Sequence, residues 1–95
     1  MPELRFVVTW PDGQQEHCYS PSLVIRDFLA EGETYLLDDF VARSREALNI
    51  ASDRVEAKYG MACSAALDQL ARIEATAKTF ASHPDAAVRC TRFIL

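Results

Sequence analysis

A histidine and a cysteine stand side by side in the segment RFVVTWPDGQQEHCYS, where His17 precedes Cys18. An imidazole beside a thiol is a pair that cysteine nucleophiles use, because the imidazole removes the thiol proton. The surrounding residues alternate between apolar and polar, which indicates β-strands. Neighbouring residues of a strand point to opposite faces of its sheet, so this pair cannot easily share a proton. The segment therefore favours an ordinary strand over a catalytic pair.

A second candidate site combines basic and aromatic side chains on one face of a predicted hairpin. The sequence WPDG predicts a type I turn with a glycine bulge between two strands. The resulting register places Arg5 across from Tyr19 and Val7 across from His17. Such a surface can hold an anion or stack on a nucleobase, and cross-strand pairing on a solvated face explains the same residues. The candidate ligand-binding residues are Arg5, His17, Tyr19 and, on a C-terminal strand, Arg89.

Metal and cofactor sites find little support in the sequence. The cysteines lie far apart, at Cys18, Cys63 and Cys90. A zinc site needs four ligands at characteristic short spacings. Neighbouring carboxylates could bind a cation, as in Glu31 with Glu33 or Asp38 with Asp39, but capping of a helix accounts for the aspartates. We expect no metal, no cofactor and no catalytic residue set.

The segments after the hairpin predict helices followed by one more strand. SPSLVIRDFL predicts a short helix that Ser20 or Ser22 caps. ETYLL indicates a segment that connects this short helix to the first long helix. Apolar side chains recur at helical spacing over 38–59 and from about 63 to 81, which predicts two long helices. The short connection YGMAC makes these helices antiparallel neighbours.

The final segment, AAVRCTRFIL, alternates again and predicts a strand. The pattern does not show which face of this strand points towards the core. One face would carry Val88, Cys90, Arg92 and Ile94. The other face would carry Arg89, Thr91, Phe93 and Leu95. Each face has apolar members and one arginine, so the pattern does not choose between them.

Together these elements predict a single α+β domain over residues 1–95. We expect a small three-stranded sheet, built from the N-terminal hairpin and the C-terminal strand. The long helical hairpin covers one face of this sheet, and the short helix is an additional element. A small sheet exposes edges that association can cover, so we expect a homodimer.

Charge and hydropathy exclude several classes of partner. The formal net charge of −4 does not fit a protein that binds nucleic acid through a concentrated basic surface. No apolar run approaches the roughly 20 residues that cross a membrane, and the start MPELRF lacks the features of a signal peptide. We expect a cytoplasmic protein that binds neither nucleic acid nor membrane.

An ordered set of segments resembles a known family across nearly the whole chain. The segments are WPDG, CYSPSLVIRDFL and VARSREALNIASDRVEAKYGMACSAALDQLARIEATA. Together they resemble small bacterial proteins of the nitrogen-starvation response. The resemblance implies genes clustered with those of a nitrilase, a radical-SAM protein, an acetyltransferase, a flavin-dependent oxidoreductase and a protein similar to aminoimidazole ribonucleotide synthase. It implies a role in the same pathway and supplies no catalytic motif.

Two functions remain in view. The first is a non-catalytic accessory module that binds an enzyme of such a nitrilase-type cluster. The second is a small-ligand binder or minor enzyme with its site on the outer sheet face or between subunits. A transcriptional regulator is disfavoured, because no recognition-helix pattern is present.

Overall fold

Strands and two long helices make up the protein, whose computed structural model describes residues 2–83 and 85–95. The elements follow in the order β1 Leu4–Thr9, β2 Gln15–Ser20, a 3-10 helix Leu23–Asp27, β3 Thr34–Leu36, α1 Leu37–Tyr59, α2 Ser64–Lys78 and β4 Ala87–Ile94. The α+β class predicted from the sequence is confirmed. Among the described helices, none combines the length and apolar character that crossing a membrane requires.

The N-terminal hairpin has the turn and register that its sequence predicts. The Gly13 N–H donates to the Trp10 carbonyl at 2.8 Å, and the Trp10 N–H donates to the Gln14 carbonyl at 2.8 Å. Gly13 adopts a φ of 87°, a conformation that costs glycine little because it has no Cβ. Arg5 pairs with Tyr19 across β1 and β2, which confirms the predicted register.

The sheet has four antiparallel strands in the order β2-β1-β4-β3. The prediction of three strands is therefore wrong, because Thr34–Leu36 forms β3 where the sequence indicates a connector. Three residues are too few to show an alternating pattern. This strand is defined by its pairing with β4, in which Tyr35 lies opposite Val88.

The two long helices lie antiparallel. Arg45, near the start of α1, forms an ion pair of 2.8 Å with Glu74, near the end of α2. Gly60 ends α1 in the left-handed conformation, at a φ of 83°. The prediction that Asp38 or Asp39 caps the N-terminus of α1 is wrong, because Leu36 occupies the cap position and no side chain forms a capping hydrogen bond there. Asp38 and Asp39 lie in the first helical turn instead, where negative charge is favourable.

The core lies on one side of the sheet, under the helices. Phe40 of α1 and Ile73 of α2 are fully buried, as are Phe6 and Cys90 of the sheet. Trp10 stacks on the half-buried Phe80 and donates its indole N–H to a carboxylate of Glu16 at 2.9 Å. The other side of the sheet, here called the outer face, carries Arg5, Val7, Thr9, Gln15, His17, Tyr19, Arg89, Thr91, Arg92 and Ile94. Val7 is the buried exception among these exposed or half-buried side chains.

Candidate functional site

Arg5 and Tyr19 meet on the outer face, as the hairpin register requires. The Arg5 guanidinium lies 5.7 Å from the centre of the Tyr19 ring, within the range of a cation–π contact. The Tyr19 hydroxyl donates to a carboxylate oxygen of Glu3 at 3.0 Å. Partial burial, and then this hydrogen bond, raise the pKa of Tyr19 to about 12. Tyr19 therefore keeps its proton at neutral pH and cannot serve as a general base there.

His17 lies in the next outward-facing row of the sheet. It is exposed and stands opposite Val7, and Val7 stands opposite Arg92 on its other side. Val7 has no exposed surface, so the longer side chains around it cover it. His17 and Arg92 thus lie on either side of one buried apolar side chain.

Arg89 shares the outer face but lies far from Arg5. It pairs with Thr9, four residues along β1 from Arg5, which is about 13 Å at the usual rise of a strand. The structure therefore brings Arg5, Tyr19 and His17 together and places Arg89 at the other end of the sheet. The four candidate residues share one face without forming one compact pocket.

A bulge in β4 adds Arg92 to this face, which sequence reasoning missed. Val8 pairs with Cys90 and Val7 with Arg92, so Thr91 is an extra residue in the ladder. Its hydroxyl is hydrogen-bonded to that of Thr9, 2.8 Å away. Past the bulge the alternation shifts by one residue, so that Arg92 points outward and Phe93 packs against the core. Neither of the two sets of side chains predicted to share a face of β4 does so, because the bulge changes the alternation part-way along the strand.

The outer face is positively charged although the protein is acidic. Arg5, Arg89 and Arg92 are exposed, and within residues 2–83 and 85–95 none of them forms an ion pair. No carboxylate belongs to the outward-facing positions of β1, β2 and β4. The arrangement can therefore hold negatively charged groups without displacing an internal partner.

The cysteines near this face do not form a nucleophilic site. Cys18 points into the core, opposite Phe6, away from His17. Burial, followed by the nearby charge of Glu16, raises its pKa. Burial also raises the pKa of Cys90 to about 11. Thiols held in this way stay protonated and unreactive at neutral pH.

No group of metal-ligating side chains comes together within the described part of the chain. Glu31 and Glu33, candidates for a cation site, both accept backbone hydrogen bonds from β4. The Glu31 carboxylate accepts the Phe93 N–H at 2.9 Å, and the Glu33 carbonyl accepts the Cys90 N–H at 2.9 Å. Asp39 pairs with Arg43 at 3.0 Å.

Two surface depressions lie near the ends of the elements. A groove of about 750 Å³ runs between the start of α1 and the end of α2, with Leu36, Asp38 and Lys78 among its lining. A shallow pocket of about 210 Å³ lies at one end of the outer face, where Arg5, Tyr19 and Ile94 contribute to its walls. The smaller pocket is the one that contains candidate residues.

Comparison with known proteins gives the family. A family model described as "Nitrogen starvation-induced protein NitG" matches residues 5–93. The chain belongs to this family. The match includes both helices, nearly all of the hairpin, β4 up to Phe93 and all four candidate residues. No curated protein and no solved structure matched the chain.

Proposed function

We propose that this member of the nitrogen starvation-induced family is a non-catalytic accessory protein that acts in the cytoplasm by binding a partner protein. One observation carries the proposal: the outer face is uncovered by helices and presents Arg5, Arg89 and Arg92 without carboxylate partners in the described residues. Exposed arginines are frequent in protein interfaces. Surface cations also steer association with an oppositely charged partner.

The partner that we propose is an enzyme of the nitrilase-type gene cluster. Its support is the resemblance of the sequence to proteins encoded in such clusters, together with the nitrogen-starvation family. We also propose that the protein works as a homodimer. The exposed apolar side chains Tyr59 and Met61, at the turn between α1 and α2, support association at that end of the helical pair.

Mixing the purified protein with each purified enzyme of the cluster tests the proposal. Size-exclusion chromatography with light scattering measures the mass of the protein alone and of each mixture. We expect a dimer alone and a heavier complex with one enzyme at micromolar concentration. The absence of a complex with any of the enzymes at 50 mM salt would contradict the accessory function, and a monomer mass would contradict the dimer.

A second candidate function is the binding of a small anionic ligand in the pocket beside Arg5 and Tyr19. Its support is the juxtaposition of a guanidinium, an aromatic ring and apolar side chains around about 210 Å³. The Glu3 carboxylate also lines this pocket, where it accepts the Tyr19 hydroxyl, so an anion would have to bind on the Arg5 side. Ligand-induced shifts in melting temperature distinguish it from partner binding. A double variant, Arg5→Ala with His17→Ala, should lose the shift given by any small anion that stabilises the native chain. An unchanged shift would exclude this site.

A further inference from the structure

Three arginines form a diagonal stripe across the outer face. Arg5 of β1 and Arg92 of β4 lie on neighbouring strands, one outward-facing row apart, which corresponds to about 7–8 Å between diagonal neighbours. Arg89 continues the stripe on β4: it pairs with Thr9, two residues along β1 from Val7, the partner of Arg92, which is about 7 Å along the sheet. Backbone pairing and the bulge set the spacing of the three Cα atoms, and the exposed arginine side chains extend from these positions.

The surface between Arg92 and Arg89 is polar. The paired hydroxyls of Thr9 and Thr91 lie between Arg92 and Arg89. His17 is exposed beside the stripe, and Val7 is sealed beneath it. A ligand on this surface can bury the exposed side chain of Ile94 opposite Arg5, and the rest of its affinity must come from charge and hydrogen bonds.

We propose that this stripe binds an extended acidic segment of a partner protein, an inference that rests on the proposed role as a partner-binding protein. Alternate side chains of an extended segment lie on one face about 6.6–6.8 Å apart. Carboxylates at every second residue would therefore reach Arg5, Arg92 and Arg89 in turn. Each guanidinium offers a planar pair of donors that matches a carboxylate.

The charge around the stripe favours a short acidic segment over a nucleic acid. Glu3, just before β1, is held by the Tyr19 hydroxyl of β2, and Glu31 is held by the Phe93 N–H of β4. The whole chain has a formal net charge of −4. A long polyanion that ran beyond the stripe would meet this negative surface, whereas an extended segment of about five residues matches the roughly 13 Å of the stripe and ends before it.

Fluorescence anisotropy with a labelled hexapeptide of alternating Glu and Thr, which carries three glutamates, tests the inference. A peptide of the same composition with its glutamates in one block is the comparison. At 50 mM NaCl we expect the alternating peptide to bind in the micromolar range and at least about threefold more tightly than the blocked one. Binding should weaken about tenfold at 300 mM NaCl, because salt screens exposed charges.

Charge reversal locates the site. Arg89→Glu and Arg92→Glu should each weaken binding by about tenfold, since each removes an attraction and adds a repulsion. Arg26→Glu is the matched control: Arg26 is also an exposed arginine, on the 3-10 helix, and its reversal should change binding less than twofold. Circular dichroism checks that all the variants fold.

Several outcomes would overturn the inference. They are no peptide binding below 1 mM, equal losses in Arg26→Glu and Arg92→Glu, no preference for the alternating peptide, and tighter binding of single-stranded DNA of equal charge. An enzyme complex that forms equally well with Arg92→Glu also overturns it and leaves the accessory function standing. Peptide binding at the stripe without any enzyme complex supports the inference and removes the proposed enzyme partner.

Discussion

Deletion of Thr91 tests whether the bulge in β4 is what keeps Arg92 outside the core and Phe93 inside it. The ladder between β1 and β4 is regular on either side of the bulge, with Val8 opposite Cys90 and Val7 opposite Arg92. Without Thr91, Cys90 and Arg92 become consecutive, and both pairs persist in an unbroken ladder. Every remaining side chain of the strand then keeps its face.

The cost of this deletion should be small, because few contacts belong to Thr91 itself. Its hydroxyl is hydrogen-bonded to that of Thr9, and such a bond contributes about 1 kcal/mol to stability. A strand that kept Thr91 without the bulge would turn Arg92 into the core, at a cost of several kcal/mol for an unpaired charge. It would also expose Phe93. We therefore expect the free energy of unfolding to fall by only about 1 kcal/mol on deletion.

Urea unfolding, followed by the fluorescence of Trp10, measures this change. Trp10 is the one tryptophan of the chain and is buried. Deletion of His17 is the matched control, because His17 is exposed on β2, which pairs with β1 without a bulge. Losing it misaligns one side of that ladder and should cost about 3 kcal/mol or more. A greater loss from deleting Thr91 than from deleting His17 would refute the reasoning.

Two further predictions concern the core. Phe40→Ala should lower the free energy of unfolding by about 3–5 kcal/mol, since Phe40 is fully buried and packs edge-on against Trp10 with 5.6 Å between the ring centres. Leu36→Ala is the control: this side chain is 61% exposed, and its loss should change the free energy of unfolding by no more than about 0.5 kcal/mol in the same urea titration. Similar losses in the two variants would contradict this packing. Stability should also fall as pH rises from about 9 towards 11, because the unfolded thiols of Cys18 and Cys90 lose their protons near their usual pKa of 9.0 while burial raises both folded pKa values, that of Cys90 to about 11. Urea titrations at pH 8 and pH 10.5 measure the slope. Cys90→Ala should reduce it, and an unchanged slope would exclude Cys90 as one of its sources.

The hairpin could be predicted from the sequence because its determinants are local. The turn residues between Trp10 and Gln14 fix the loop geometry, and the alternation around Phe6 and Cys18 fixes which face is buried. Both signals lie within a few residues of the structure that they specify. The positions of Arg5, His17 and Tyr19 on the outer face follow directly from this register.

The fourth strand and the bulge could not be predicted because they depend on distant partners. Tyr35 belongs to a strand only through its pairing with Val88, and the bulge exists only where β4 is aligned with β1. The sequence does carry one trace of the bulge. In the order Cys90, Thr91, Arg92, Phe93, regular alternation from a buried cysteine would bury the arginine and expose the phenylalanine. That arrangement is unfavourable enough to indicate an extra residue.

The edges of the sheet bear on how a partner could bind. Gln69 of α2 is buried and accepts the Tyr19 N–H of β2 at 3.1 Å, so a helix side chain occupies a position that a fifth strand would need. Glu31 does the same for β4, by accepting the Phe93 N–H. The other edge strand, Thr34–Leu36, has three residues. Strand addition requires a row of free backbone groups, and these side chains shorten that row at both sides. The outer face therefore offers the proposed partner a larger accessible surface than either edge of the sheet does.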